Sequence, residues 1–136
     1  MTIQRFSYTP HPSLPLGLPL LDIRLHTSTG STVASALVDS GAALNILPFD
    51  VGLACGLVWE EQTFPLNLGG ILKGAQAYAV LLQTEIIGLP PHKLAFAWVN
   101  KPASQVRVLL GQVNFFQLFN VHFYGHEKAF VIETRE

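Results

Sequence analysis

Residues 36–48 read ALVDSGAALNILP, and Asp39 is the one charged side chain among them. The apolar run Ala36-Leu37-Val38 leads straight into that carboxylate, and Ser40, Gly41, Ala42 and Ala43 follow it. Charged residues make up only 12 % of the chain against 49 % apolar, so a carboxylate in this setting needs a reason. Burying it is costly unless hydrogen bonds or a shared proton relieve the charge. The pattern is a strand that ends in a tight turn, with Gly41 permitting a close approach that a side chain would forbid. Taken alone, Asp39-Ser40-Gly41 reads first as a capped turn, the carboxylate accepting backbone N–H groups.

Outward from this stretch the chain reads as strands. LPLLDIRLHT (18–27) alternates, with Leu21, Ile23 and Leu25 on one face and Asp22, Arg24 and His26 on the other. That is the period of a half-buried strand. STGS (28–31) turns it into TVASALVDS (32–40), a hairpin. PFDVGLAC (48–55) opens on proline and stops before Gly56, as a short helix would. TFPLNL (63–68) and AQAYAVLLQTEI (75–86) flank GGILKG (69–74), a hairpin with a glycine-rich tip. HKLAFAWVN (92–100) and QVRVLLG (105–111) are further strands, QVNFFQLF (112–119) is a short helix, and NVHFY and KAFVIET flank GHE in a closing hairpin. About eight strands and two short helices predict an all-β, barrel-like domain. Residues 1–17, with Pro10, Pro12 and Pro15, read as an extended proline-rich arm rather than a packed element, leaving 18–136 as the domain.

Composition narrows the function. At 136 residues the chain is one domain by size. A net charge of −1 with scattered Lys and Arg gives no basic stripe, and so no nucleic-acid partner. No uninterrupted apolar window suits a membrane span. The single cysteine, Cys55, makes no internal disulfide, which suits a reducing, cytoplasmic setting. A mean hydropathy of +0.37 is high for a small monomer and points to a buried partner surface.

The 36–48 block resembles the active-site strand and turn of the retropepsins, the single-domain aspartic proteases of retroviral type. VRVLLGQVNFFQLFNVHFYGHEKAFVI (106–132) resembles that family's second apolar-apolar-Gly segment, the helix after it, and the closing hairpin of its cellular and bacterial members. LNLGGILKGAQAYAV (66–80) lies where the family's flap belongs. The resemblance implies a closed, single-lobed acid-protease barrel with a flap hairpin, no cofactor, and an endopeptidase acting on polypeptides. It implies Asp39 as the catalytic carboxylate, Ser40 bonding across a two-fold axis, and Gly41 presenting its carbonyl to substrate. Ala42, Gly69 and Gly70 would meet the substrate backbone, and Leu37, Ile71 and Leu109 would wall its pockets. Many viral members carry an acid two positions after the active-site glycine and an Arg directly after the second. Here those positions hold Ala43 and Gln112, which puts the dimer contact in question rather than the fold.

Aspartic-protease chemistry needs two carboxylates sharing one proton. Asp22 and Asp50, the remaining aspartates, have ordinary readings on a strand's polar face and in a helix's first turn. The second carboxylate must then be Asp39 of another copy, in a homodimer. His122 and His126 are four apart, but across a strand and turn, so they make no metal site. Ser40 has no motif-placed His to activate it as a nucleophile. Two alternatives from other classes remain: a retropepsin-fold dimerisation or peptide-binding module with little catalysis, and an unrelated barrel for small ligands.

Overall fold

The computed structural model describes residues 1–135, with the backbone alone described at Ile71. The chain begins with β1 (Ile3–Ser7), followed by a small hairpin of β2 (Thr9–His11) and β3 (Leu14–Leu18). The long hairpin β4 (Leu20–Thr27) and β5 (Gly30–Val38) comes next, then β6 (Ile46–Leu47) and helix α1 (Phe49–Ala54). β7 (Pro65–Leu66), β8 (Ala77–Ile86), β9 (His92–Val99) and β10 (Val108–Leu110) complete the central sheet. Helix α2 (Phe115–Leu118) leads into the closing hairpin β11 (Phe119–Tyr124) and β12 (Ala129–Thr134).

The central strands run in the order β4-β5-β10-β6-β9-β8, and β8 pairs back onto β4, closing a six-stranded barrel. The pairing is mixed. β10 is parallel to β5 and β6 is parallel to β9, while the other barrel pairs are antiparallel. The chain thus leaves the sheet after β5, turns, and re-enters as β6, with β10 threaded between the two. That threading puts the 39–45 turn over the end of β10.

The alternation read along 18–27 is the one observed: Leu21, Ile23 and Leu25 are buried while Asp22 and Arg24 are exposed. Trp98, fully buried on β9, donates its Nε1–H to the Phe49 carbonyl (3.1 Å) and stacks on the Phe49 ring. A Cβ at Gly52 would collide with the Trp98 indole, which explains a glycine inside α1. No helix among the described residues is long and apolar enough to cross a membrane.

Several elements differ from their sequence reading. Residues 1–17 are extended, but their first half is packed rather than free. β1 pairs with β12 along its length, Ile3 opposite Glu133 through Ser7 opposite Ala129, and Phe6 stacks on Phe130 at 5.4 Å. The prolines that suggested an arm begin only at Pro10, so nothing interrupts the ladder before it. Twelve strands, not about eight, form among the described residues, because the three amino-terminal strands and the two-residue β6 were unforeseen. The strand expected over 63–68 shrinks to Pro65–Leu66, that over 105–111 to Val108–Leu110, and the helix over 112–119 to Phe115–Leu118.

Cys55 is fully buried, and burial pushes its thiol up to about 11. A raised folded pKa makes its stabilising contribution complete below the unfolded thiol pKa and lost as pH rises through the folded one. Stability is therefore expected to fall between about pH 9 and 11 as the thiol ionises only on unfolding. Alkylation at pH 8 should be slow in the native protein and fast in denaturant; equal rates would contradict the burial.

Candidate active site

Asp39 is the first residue beyond β5, and three backbone bonds and one side-chain bond fix its turn. Its N–H donates to the Leu110 carbonyl (2.9 Å), and its carbonyl accepts the Ala42 N–H (3.1 Å). Its Oδ1 accepts the Gly41 N–H (2.9 Å), which is the turn-capping bond. The third backbone bond is the Val38 N–H to the Pro19 carbonyl (3.1 Å), which fixes the strand just before the carboxylate. Among the described residues no side chain pairs its charge and no group bonds Oδ2, so one oxygen is committed to the turn and one is open to a ligand.

The turn is laced to the segment after β10. The N–H groups of Gln112 and Val113 donate to the carbonyls of Ala42 and Ala43 (2.8 and 2.9 Å), and the Asn45 N–H donates to the Val113 carbonyl (2.8 Å). A Cβ at Gly111 would lie 2.5 Å from the Leu44 carbonyl oxygen and 2.6 Å from that of Ala42, both backbone, so this crossing needs glycine. The Gln112 side chain donates Nε2–H to the Ser40 carbonyl (2.7 Å), so the residue standing in place of an arginine braces its own chain's turn.

Beneath this lacing lies an amide pair, Asn45 buried and Asn114 half-buried. Asn45 is 0 % exposed. Its Oδ1 accepts the Gly111 N–H (2.7 Å), and its Nδ2 donates to the Ala95 carbonyl and to Asn114 Oδ1, both at 2.9 Å. Asn114 Oδ1 also accepts the Ala95 N–H (3.0 Å). Every side-chain donor and acceptor of Asn45 that can reach protein is used, as a buried amide requires.

A cleft of about 470 Å³ opens beside Asp39. One wall is the turn itself, Gly41 to Leu44. The other is the loop after β7, through Leu68, Gly69, Gly70 and Leu72, with Ile46 and Leu109 between the walls. Among the described residues, Asp39 is the only charged one lining it.

No family model and no curated protein matches the sequence. Among solved structures, the chain is similar to a retropepsin-like aspartic protease from Rickettsia conorii, with a TM-score of 0.69 at 10 % identity, over 96 % of this chain and 90 % of that one. The chain has the retropepsin-like fold.

On this retropepsin-like frame the expected site residues fall in three groups. Asp39, Gly41, Ala42, Gly69, Gly70 and Leu109 line the one cleft. Ser40 is exposed and outside the lining, and Leu37 does not line the cleft either: it pairs between Leu20 and Leu109 within the barrel wall. The Ile71 side chain, expected as a pocket wall, lies outside the described residues. The glycine-rich tip is a single turn of 3-10 helix over Gly70–Leu72, and β7 gives it only two paired residues. Sequence reasoning missed Ala43, Leu44, Ile46, Leu68 and Leu72 in the lining, and it missed Asn45 and Asn114 altogether.

Proposed function

We propose that this chain is an aspartic endopeptidase that works as a homodimer, Asp39 of each copy forming the dyad. The observation that carries the reading is the half-engaged Asp39 carboxylate, partly buried and, among the described residues, the one acidic group lining a largely apolar cleft beside a glycine loop. Among the described residues, no second carboxylate lines the cleft. Asp22 is exposed on the barrel wall, and Asp50 caps a different segment, its Oδ1 accepting the Ala103 N–H (2.8 Å). A two-fold axis beside Ser40 supplies the partner with no further residue.

Two such carboxylates cannot both ionise, so they hold one proton between them and titrate as a pair. The ionised one takes a proton from the attacking water. The protonated one hydrogen-bonds the scissile carbonyl. Water adds to the carbonyl carbon, the amine leaves with a proton, and no covalent intermediate forms. Ser40 would hold the two turns together across the axis. A substrate lying as an added strand would take main-chain bonds from Gly41, Ala42, Gly69 and Gly70. Leu44, Ile46, Leu72 and Leu109 would favour aliphatic side chains flanking the cut. The unpaired Cys55 fits a reducing, cytoplasmic setting.

A second reading, a peptide-binding or dimerisation module with little catalysis, draws on one observation. β1 and β12 pair with each other and with β11 in a three-stranded sheet within the chain, so these strands are already engaged and do not pair with a partner's. Cleavage of a diverse peptide library across pH 3–8 separates the two readings. Cuts between aliphatic residues, at a rate per chain that rises with protein concentration, are expected. A folded, dimeric protein that cuts nothing at any pH would leave the module.

A further inference from the structure

The hairpin of β2 and β3 stands apart from the rest of the chain. Among the described residues its strands pair with each other and with no other strand, and none of residues 9–18 is buried. Alternation along β3 puts Leu14, Leu16 and Leu18 on one face. Leu14 and Leu16 are 44 % and 54 % exposed. Gly17, at φ +79°, lets β3 close on the Thr9 carbonyl where a Cβ would collide. A lone two-stranded hairpin is marginal in water, and one that displays a leucine stripe calls for a cover.

Its root fixes where that cover lies. Leu20 sits opposite Leu37, and the Pro19 carbonyl accepts the Val38 N–H (3.1 Å). Two more residues of the same antiparallel register bring Leu18 level with Asp39. The hairpin therefore leaves the barrel at the rim that bears the carboxylate. The five residues of β3 give it a reach of roughly 15 Å.

We propose that this hairpin is an arm that packs its Leu14–Leu16 face on a second copy of the chain. The inference rests on the homodimeric reading, which puts a two-fold axis at this rim. The turn residues beside that axis, Ser40, Gly41, Gln112 and Val113, are exposed but few. A stable interface buries roughly 1,200–2,000 Å² in total, more than four small or medium residues per copy provide. The symmetry brings both arms to the same rim, where each adds apolar area on its partner.

The test is a Leu14→Ser/Leu16→Ser variant of the full chain, beside wild type, by sedimentation equilibrium and by cleavage rate per chain against protein concentration. The midpoint of dimerisation should move up by about tenfold or more. Cleavage per chain should recover at high concentration, because assembly and not chemistry is impaired. Both positions are exposed, and circular dichroism checks the fold; Leu16→Ser alone, shifting the midpoint the same way, serves if the double variant misfolds. An unmoved midpoint in a dimeric, active wild type overturns the arm and leaves the paired-Asp39 reading standing. A shifted midpoint in a wild type that cuts no peptide supports the arm and refutes the protease reading. A wild type monomeric throughout overturns the arm. So does cleavage within residues 9–18 with dimerisation unaffected by the variant, which would make the hairpin a substrate.

Discussion

Asp39→Asn is expected to lower cleavage by at least about 10³-fold across the whole pH range while the protein stays folded, in line with the loss of a general acid–base pair. The substitution separates the two roles of this side chain. The amide oxygen still accepts the Gly41 N–H, so the turn keeps the bond that the carboxylate makes through Oδ1. What weakens is the charge assistance of that bond, about 1 kcal/mol of stability. What disappears is the ability to take a proton from water, and by symmetry it disappears from both halves of the site at once. Mixing gives a sharper result than the variant alone. If two chains build one dyad, an excess of Asp39→Asn protein should poison wild type by forming mixed dimers. Random pairing of equal parts leaves roughly one quarter of the dimers fully wild type. Wild-type activity that ignores added variant would show that one chain suffices, and retained activity in the variant would remove Asp39 from the chemistry.

The turn at Asp39 was legible in the sequence because its neighbours are so restrictive. An apolar strand, a bare Asp, then Ser-Gly-Ala leaves few backbone courses. The same holds for Gly111, whose place after Val108–Leu110 marks a crossing that only glycine fits. The β4–β5 hairpin was legible from period-two alternation, since one face is buried and the other wet. β1 was not, although Ile3, Arg5 and Ser7 alternate with Gln4 and Phe6, because nearby prolines outweighed a weak five-residue pattern whose partner lies over 120 residues away. The cleft wall at Leu68 and Leu72 was hidden for another reason. Leucines in a glycine-rich loop do not declare which surface they cover, and here they pack beside Ile46, Ala77 and Val99. Asn45 left one unused signal: a single amide between Leu44 and Ile46 in an apolar run is either exposed or fully bonded. Its partner, Asn114, lies 69 residues away, and no local pattern connects the two.

That amide pair carries the second large effect. Asn45→Ala should cost about 3 kcal/mol, read as a lower urea midpoint, because it strands the buried Gly111 N–H and removes a donor from the half-buried Ala95 and Asn114. A loss of that size is a large share of a small domain's stability. Asn45→Asp distinguishes bonding from mere volume. The aspartate nearly matches the amide in shape and can still accept the Gly111 N–H. Its other oxygen, however, faces two acceptors, the Ala95 carbonyl and Asn114 Oδ1. Only a protonated carboxyl can donate there, so folding should raise this group's pKa above the ordinary aspartate value near 3.9. A raised folded pKa stabilises fully below the unfolded pKa and is lost as pH rises through the folded one. Asn45→Asp should therefore hold its fold near pH 3 and weaken steadily towards neutrality, whereas Asn45→Ala should be weak by a similar margin at both. Parallel pH curves for the two variants would mean that Asn45 only fills space. Because Leu110, next to Gly111, accepts the Asp39 N–H, the aspartate variant should also regain cleavage as pH falls, in step with its stability.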